Sequence, residues 1–250
     1  MKSLEEMLKT LPGKIGFCYL CPDTGARFER NGDLPLVAAS VIKLPIMVEA
    51  FRQKEAGTLD WQKEVTIRKE DKLPSCGALT YLHDGIKVTV GDLVTLMIIL
   101  SDNTATNLMI DLLGADNINA TCEHLGLKGT KLNRKLFDAE KSAQGIENYV
   151  TANDMARILS LLLKGKVVSA EASREMLTIL GHQRLNGKIP FFLHSRDIAV
   201  AHKTGEDDGI THDVGIIYTE HPQILCFLSN ETDVPLAERC IQDVANMLVP

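Results

Sequence analysis

Three short motifs carry residue types that could activate a serine hydroxyl. Ser40-Val41-Ile42-Lys43 sets a hydroxyl and an amine three residues apart at the start of a predicted helix, 40–55, where both fall on one face. There the amine can take the hydroxyl proton, and the unpaired N–H groups of a first turn suit a developing oxyanion. Ser101-Asp102-Asn103 follows the apolar run 91–100, and Lys203-Thr204-Gly205 ends a strand-like run, 199–205. Taken alone, Ser40 reads better as a helix cap with a solvated Lys43 behind it. At ordinary residue frequencies a chain of this length holds about one S-x-x-K by chance, but only about 0.03 S-D-N and about 0.1 K-T-G tripeptides. Their occurrence together, in this order, is what favours chemistry.

The elements that must position these motifs follow from periodicity. Residues 14–21 and 26–30 are β-like runs joined by the turn Pro22-Asp23-Thr24-Gly25, and 199–205, 212–219 and 223–230 are three more. Between them lie helical patterns at 40–55, 91–100, 104–114, 118–126 and 151–165; Thr151 caps the last, and Gly114, Gly126 and Gly165 fall at C-terminal stops. Helices at 2–11 and 234–248 flank the strands. The expected fold is α+β: a mainly antiparallel five-stranded sheet built from both chain ends and flanked by helices, with an all-helical lobe inserted. The expected lobes are 1–40 with 180–250 for the sheet and 41–179 for the helices, with the site in the crevice between them. Residues 131–150 lack clear periodicity and read as a functional loop.

The three motifs in this order resemble the signature of the serine β-lactamases and penicillin-binding proteins. The similarity is greatest to the class A β-lactamases and runs over essentially the whole chain, including Ser101 to Asn107, Thr151 with Asp154-Met155-Ala156, and His212-Asp213-Val214-Gly215. The resemblance implies a crevice between a sheet and a helical lobe, and a covalent serine ester. On it Ser40 is the nucleophile and Lys43 its base, with a pKa lowered by burial and a second cation. Ser101 relays the proton to the leaving nitrogen, Asn103 fixes Lys43 and the substrate amide, Lys203 supplies the second charge, and Thr204 binds the substrate carboxylate. The backbone N–H groups of Ser40 and Glu206 form the oxyanion hole, and Gly205 allows close approach of strand and ligand.

One departure stands out. The family carries a deacylating glutamate two residues after a loop arginine, whereas here Arg134 is followed by Lys135 and then Leu136. Glu140 and Glu147 are the nearby alternatives, though each reads more readily as a solvated loop carboxylate. The implied substrate is a β-lactam, with a D-alanyl peptide or small ester as the alternative. A slow-turnover or idle penicillin-binding module stays open.

Composition narrows the classes further. The 250 residues are 45% hydrophobic and 24% charged, as expected of a folded chain, and 27 Lys and Arg against 33 Asp and Glu argue against nucleic acid as a partner. No apolar run approaches a membrane span, so no membrane partner is expected. The N-terminus has no signal-peptide pattern, which fits a cytoplasmic chain or a mature secreted one, expected to be monomeric. Six scattered cysteines read mostly as buried thiols, Cys18-x-x-Cys21 lacks a partner pair, and seven histidines show no ligand spacing, so neither metal nor cofactor is expected.

Overall fold

The computed structural model describes residues 2–249. In chain order the elements are α1 (Lys2–Lys9), β1 (Lys14–Leu20), β2 (Arg27–Arg30), β3 (Leu36–Val37), a 3-10 turn (Ala39–Ile42), α2 (Lys43–Glu55), β4 (Glu64–Thr66), β5 (Lys87–Thr89) and α3 (Val90–Ile99). There follow α4 (Asn103–Leu113), α5 (Ala115–His124), α6 (Ala139–Ala143), β6 (Tyr149–Val150), α7 (Ala152–Leu163), α8 (Ala170–Gly181), β7 (Val200–Asp207), β8 (Ile210–Ile217), β9 (Gln223–Asn230) and α9 (Val234–Met247). The main sheet is antiparallel with order β2-β1-β9-β8-β7, so the first and last strands of the sequence pair at its centre, Phe17 opposite Phe227. This is the five-stranded sheet expected from both chain ends.

Both faces of the sheet are covered, so the paired strands β1 and β9 read as nearly continuous apolar runs, whereas the edge strand β2 alternates. Phe17, Leu225 and Phe227 pack with α1 and α9 on one face, while Cys18, Cys226 and Leu228 join the helices on the other. That second core is continuous from sheet to helical region, so the two regions share one interior. Through it runs α2, buried on nearly all sides from Lys43 to Phe51. Helix α8 has a sequence signal that the periodicity reading passed over: Ser169 caps it, accepting from the Ala172 N–H at 3.1 Å, and Ala172, Met176 and Leu180 recur at i, i+4 and i+8 to line its buried side.

Two buried polar residues brace the segments that carry the motifs. Asp102 caps α4 through Ala105 N (2.9 Å) and accepts from Ala78 N (2.7 Å) and Leu79 N (2.9 Å), tying residues 74–81 to the head of the helix. Gly77, at φ +121°, is required there, since a Cβ would sit 2.3 Å from the Asp102 carboxylate. His212 on β8 donates from Nε2 to the Val37 carbonyl (2.8 Å) and accepts at Nδ1 from Ser229 N (3.0 Å), which joins β8, β9 and the short β3 just ahead of Ser40.

With one nitrogen donating and the other accepting, His212 is a neutral imidazole. Burial lowers its pKa from 6.5 to about 4. Between those values the unfolded chain binds the extra proton, so this contribution is complete above about pH 6.5 and is lost as pH falls towards 4. From pH 7.5 to 5.0 the loss is about 2 kcal/mol. Chemical denaturation at the two pH values should show a smaller drop for His212→Gln than for wild type; equal drops would contradict the assignment.

Candidate functional site

The local geometry at Ser40 differs from the α-helical start expected from sequence. Ser40 lies in the 3-10 turn Ala39–Ile42, and α2 begins only at Lys43. In a 3-10 turn residues i and i+3 eclipse, which draws Lys43 Nζ to 2.9 Å from Ser40 Oγ. The residue before Ser40, Ala39, has φ +41°, and Ser101 has φ +54°; both are left-handed conformations that non-glycine residues rarely adopt, held here by the surrounding packing.

Four oxygens lie within 3.0 Å of Lys43 Nζ: Ser40 Oγ (2.9 Å), Ser101 O (2.7 Å), Ser101 Oγ (3.0 Å) and Asn103 Oδ1 (2.9 Å). Two of them, the Ser101 carbonyl and the Asn103 amide oxygen, only accept. A neutral amine serves both with its two N–H groups and offers its lone pair to the Ser40 hydroxyl. Lys43 is fully buried, and its pKa is held well below 10.5, first by loss of water and then by the charge of Lys203. Lys203 Nζ donates to the same Ser101 Oγ at 3.0 Å and to the Thr204 carbonyl at 2.8 Å. Burial brings Lys203 down to about 7; Asp213 opposes that fall and Lys188 adds to it. Ser101 is therefore the bridge between two buried amines, one beside the Ser40 hydroxyl and one on β7.

A crevice of about 560 Å³ opens above these groups. Ser40, Asn103 and Glu206 line it, whereas Lys43, Ser101, Lys203, Thr204 and Gly205 lie buried beneath or beside its floor. Asn103 gives its oxygen to Lys43 and its nitrogen to the Pro74 carbonyl (3.1 Å). Gly205 packs closely within the protein: a Cβ there would lie 3.0 Å from the His212 ring, 3.1 Å from Val41 and 3.3 Å from the Ala38 carbonyl, so β7 presses tightly against the Ser40 turn.

Residues 131–150 form the crevice's other wall, and they hold a short strand and helix that their lack of periodicity concealed. The backbone of Leu136 is clamped by Asn107, which accepts from Leu136 N and donates to its carbonyl, both at 2.9 Å, and the residue lines the crevice. Glu147 also lines it, but its carboxylate receives Arg134 Nε (3.0 Å) and Ser142 Oγ (2.8 Å). Glu140 is exposed on α6 and lies apart from the crevice lining.

Several residues here escaped the sequence reading. Lys188, only 3% exposed, donates to Glu206 Oε1 (2.8 Å) and lies 3.3 Å from the His212 carbonyl; nothing near it in sequence marks it as buried. Asp213, signalled only by the motif it shares with His212, holds His202 Nδ1 (2.9 Å) and accepts from Ile189 N (2.9 Å). On the remaining rim Ser75 and Cys76 line the crevice, while Leu79 is in the core and Tyr81 points to solvent. Among the described residues the six cysteines are free thiols, no cluster of three or more His, Cys, Asp or Glu could hold a metal ion, and no helix is long and apolar enough to cross a membrane.

Comparison with known proteins gives one answer. The profile of the beta-lactamase enzyme family matches residues 1–249. Beta-lactamase VEB-1 of Pseudomonas aeruginosa is 24% identical, over 98% of this chain and 87% of its own. The crystal structure of a beta-lactamase from Sphaerobacter thermophilus superposes with a TM-score of 0.90 at 33% identity, covering 100% of this chain and 97% of that one. The structure of PBP-A superposes at 0.89 and 26%, over 99% and 93%, and a leucine-to-glutamate variant of PBP-A, solved as an acyl-enzyme complex with penicillin G, matches at 0.87 and 25%. The chain belongs to the beta-lactamase enzyme family and has the architecture of its class A members.

Proposed function

We propose that this chain opens β-lactam rings through an ester on Ser40 and releases the product slowly. The observation that carries the reading is the buried Lys43 amine 2.9 Å from Ser40 Oγ. Lys43 takes the hydroxyl proton as Oγ attacks the lactam carbonyl carbon, and the oxyanion is received by the backbone N–H groups of Ser40 and Glu206. The carbon–nitrogen bond then breaks, the nitrogen takes a proton from Ser101 Oγ, and the Lys43 ammonium returns one to Ser101. Lys203 and Thr204 receive the substrate carboxylate. As the edge strand of the sheet, β7 offers backbone groups against which an extended peptide-like substrate can pair. The relatives named beta-lactamases support this reaction class.

The second step is the weak one. A leucine at 136 offers no oxygen to hold a water beneath the ester, and Glu147 is engaged by Arg134. The same features favour, as a second reading, a D-alanyl-D-alanine peptidase or small-ester hydrolase that penicillins trap. The acyl-enzyme state reported for the PBP-A variant supports an ester of this kind.

Intact-protein mass spectrometry after mixing with benzylpenicillin should show enzyme plus intact penicillin, and nitrocefin hydrolysis should begin with a burst and continue slowly. Ser40→Ala should remove the adduct while shifting the melting temperature by no more than about 3 °C; an adduct that survives takes Ser40 out of the reaction. Leu136→Glu should speed loss of the adduct by about 10²-fold with acylation changed by less than about threefold. Rapid wild-type turnover with no detectable adduct would overturn slow release. Faster hydrolysis of a p-nitrophenyl ester than of nitrocefin would favour the second reading.

A further inference from the structure

Charge is distributed unevenly over the crevice. Its lining holds Arg134 against Asp138, Glu147, Glu206 and Asp207. Arg134 is spent on Glu147, and Glu206 is held by Lys188 from behind (2.8 Å). The other nearby cations are also engaged: Lys135 pairs with Asp111, and Lys141 turns its ammonium to the Asn133 carbonyl (3.2 Å). Asp138 and Asp207 are left without an ion pair among the described residues; each accepts a single local backbone N–H, from Lys141 (3.1 Å) and Asp208 (2.9 Å) respectively. Phe137, half-exposed with φ +59°, lines the crevice next to Asp138.

Their placement on the strand gives these charges a role. Side chains alternate along β7: Ala201 joins the core shared with the helices, Lys203 reaches Ser101, and Gly205 faces the Ser40 turn. Asp207 is next on that face and lines the crevice. It lies four residues, about 13 Å, beyond Lys203. A ligand laid along β7 with its carboxylate at Lys203 and its reacting carbonyl at Ser40 therefore extends its acyl side towards Asp207, with Phe137 and Asp138 on the facing wall.

Resting on the acyl-enzyme reading of the previous section, we infer that this crevice selects acyl donors that carry an ammonium group on the acyl side, held by Asp207 and Asp138 beside the Phe137 ring. Carboxylates lining one solvent-open mouth attract a cation and repel an anion, and an aromatic ring beside them can add a cation–π contact. The preferred substrates are thus doubly charged, with a carboxylate at the Lys203 end and an ammonium at the mouth. Amine-bearing penicillins and peptides with a free amine meet that description.

The test is the acylation rate constant of the intact chain with three penicillins that differ in one substituent: ampicillin with an α-ammonium, benzylpenicillin with none, and carbenicillin with an α-carboxylate. Wild type should rank them in that order, with ampicillin exceeding carbenicillin by about tenfold or more at low salt and by less at 0.5 M salt. The variant D138N/D207N keeps both backbone hydrogen bonds, because an asparagine oxygen accepts as the carboxylate does, and removes only charge. It should compress the ampicillin-to-carbenicillin ratio to within about twofold of unity. A wild-type ratio near unity, or a ratio that survives in the variant, overturns this inference while the labelling itself upholds the acyl-enzyme. Failure of all three penicillins to label Ser40 overturns the acyl-enzyme reading and this inference with it.

Discussion

Everything at this site depends on keeping one amine out of water. Lys43 loses its hydration on burial, and the positive charge of Lys203 opposes its protonation further, so the lone pair that a base requires is freed at a pH well below the usual lysine range. Three distant segments must meet for this: the Ser40 turn, the junction of α3 and α4 at Ser101, and β7. Each is held by its own polar brace. Asp102 fixes the head of α4, His212 fixes the approach to Ser40, and Asp213 on β8 tempers Lys203 while holding His202. Desolvated lysines and left-handed backbone at Ala39 and Ser101 oppose folding, and the apolar helix α2 with the core shared between sheet and helices offsets that cost.

The same constraint shapes the surroundings. Cations sit below the floor and anions around the mouth, so a ligand meets a field that changes sign along β7. The wall at 131–150 is organised by a short set of polar clamps, Asn107 on Leu136, Arg134 on Glu147, and Asn148, whose side chain takes the N–H groups of Asn133 and Arg134. These clamps engage the Glu147 carboxylate and present the apolar Leu136 to the crevice. Ser40, Lys43, Ser101 and Lys203 thereby meet in one hydrogen-bonded set, while position 136 lacks the carboxylate that the family's motif supplies.

Much of this was legible in the residues. The strand runs at both chain ends forecast the sheet because its covered faces demand apolar sequence, and the glycines at 114, 126 and 165 mark helix ends with φ of +82°, +71° and +65°. The three motifs located Ser40, Lys43, Ser101 and Lys203 because short sequence segments carry them. What stayed hidden depends on contacts between segments far apart in sequence. Lys188 looks like any solvated lysine until the β7–β8 hairpin covers it. Gly205 packs against His212, Val41 and Ala38, contacts that the motif by itself does not reveal. The 3-10 turn at Ser40 differs from an α-helical start by a register of one residue, which periodicity does not resolve. The charge pattern of the mouth follows from which carboxylates find partners, and pairing across loops leaves no trace in local sequence.

The claim on which the account rests is the charge of Lys43, and it can be read directly. In protein carrying carbon-13 at the lysine side chains, the Lys43 Cε resonance, assigned by its disappearance in Lys43→Arg, should report a neutral amine at pH 7. It should change towards an ammonium only as pH is lowered well below the usual lysine range. A Lys43 resonance that reports an ammonium at pH 7 and titrates near 10.5 would contradict the account, because a protonated Lys43 has no lone pair with which to take the Ser40 proton.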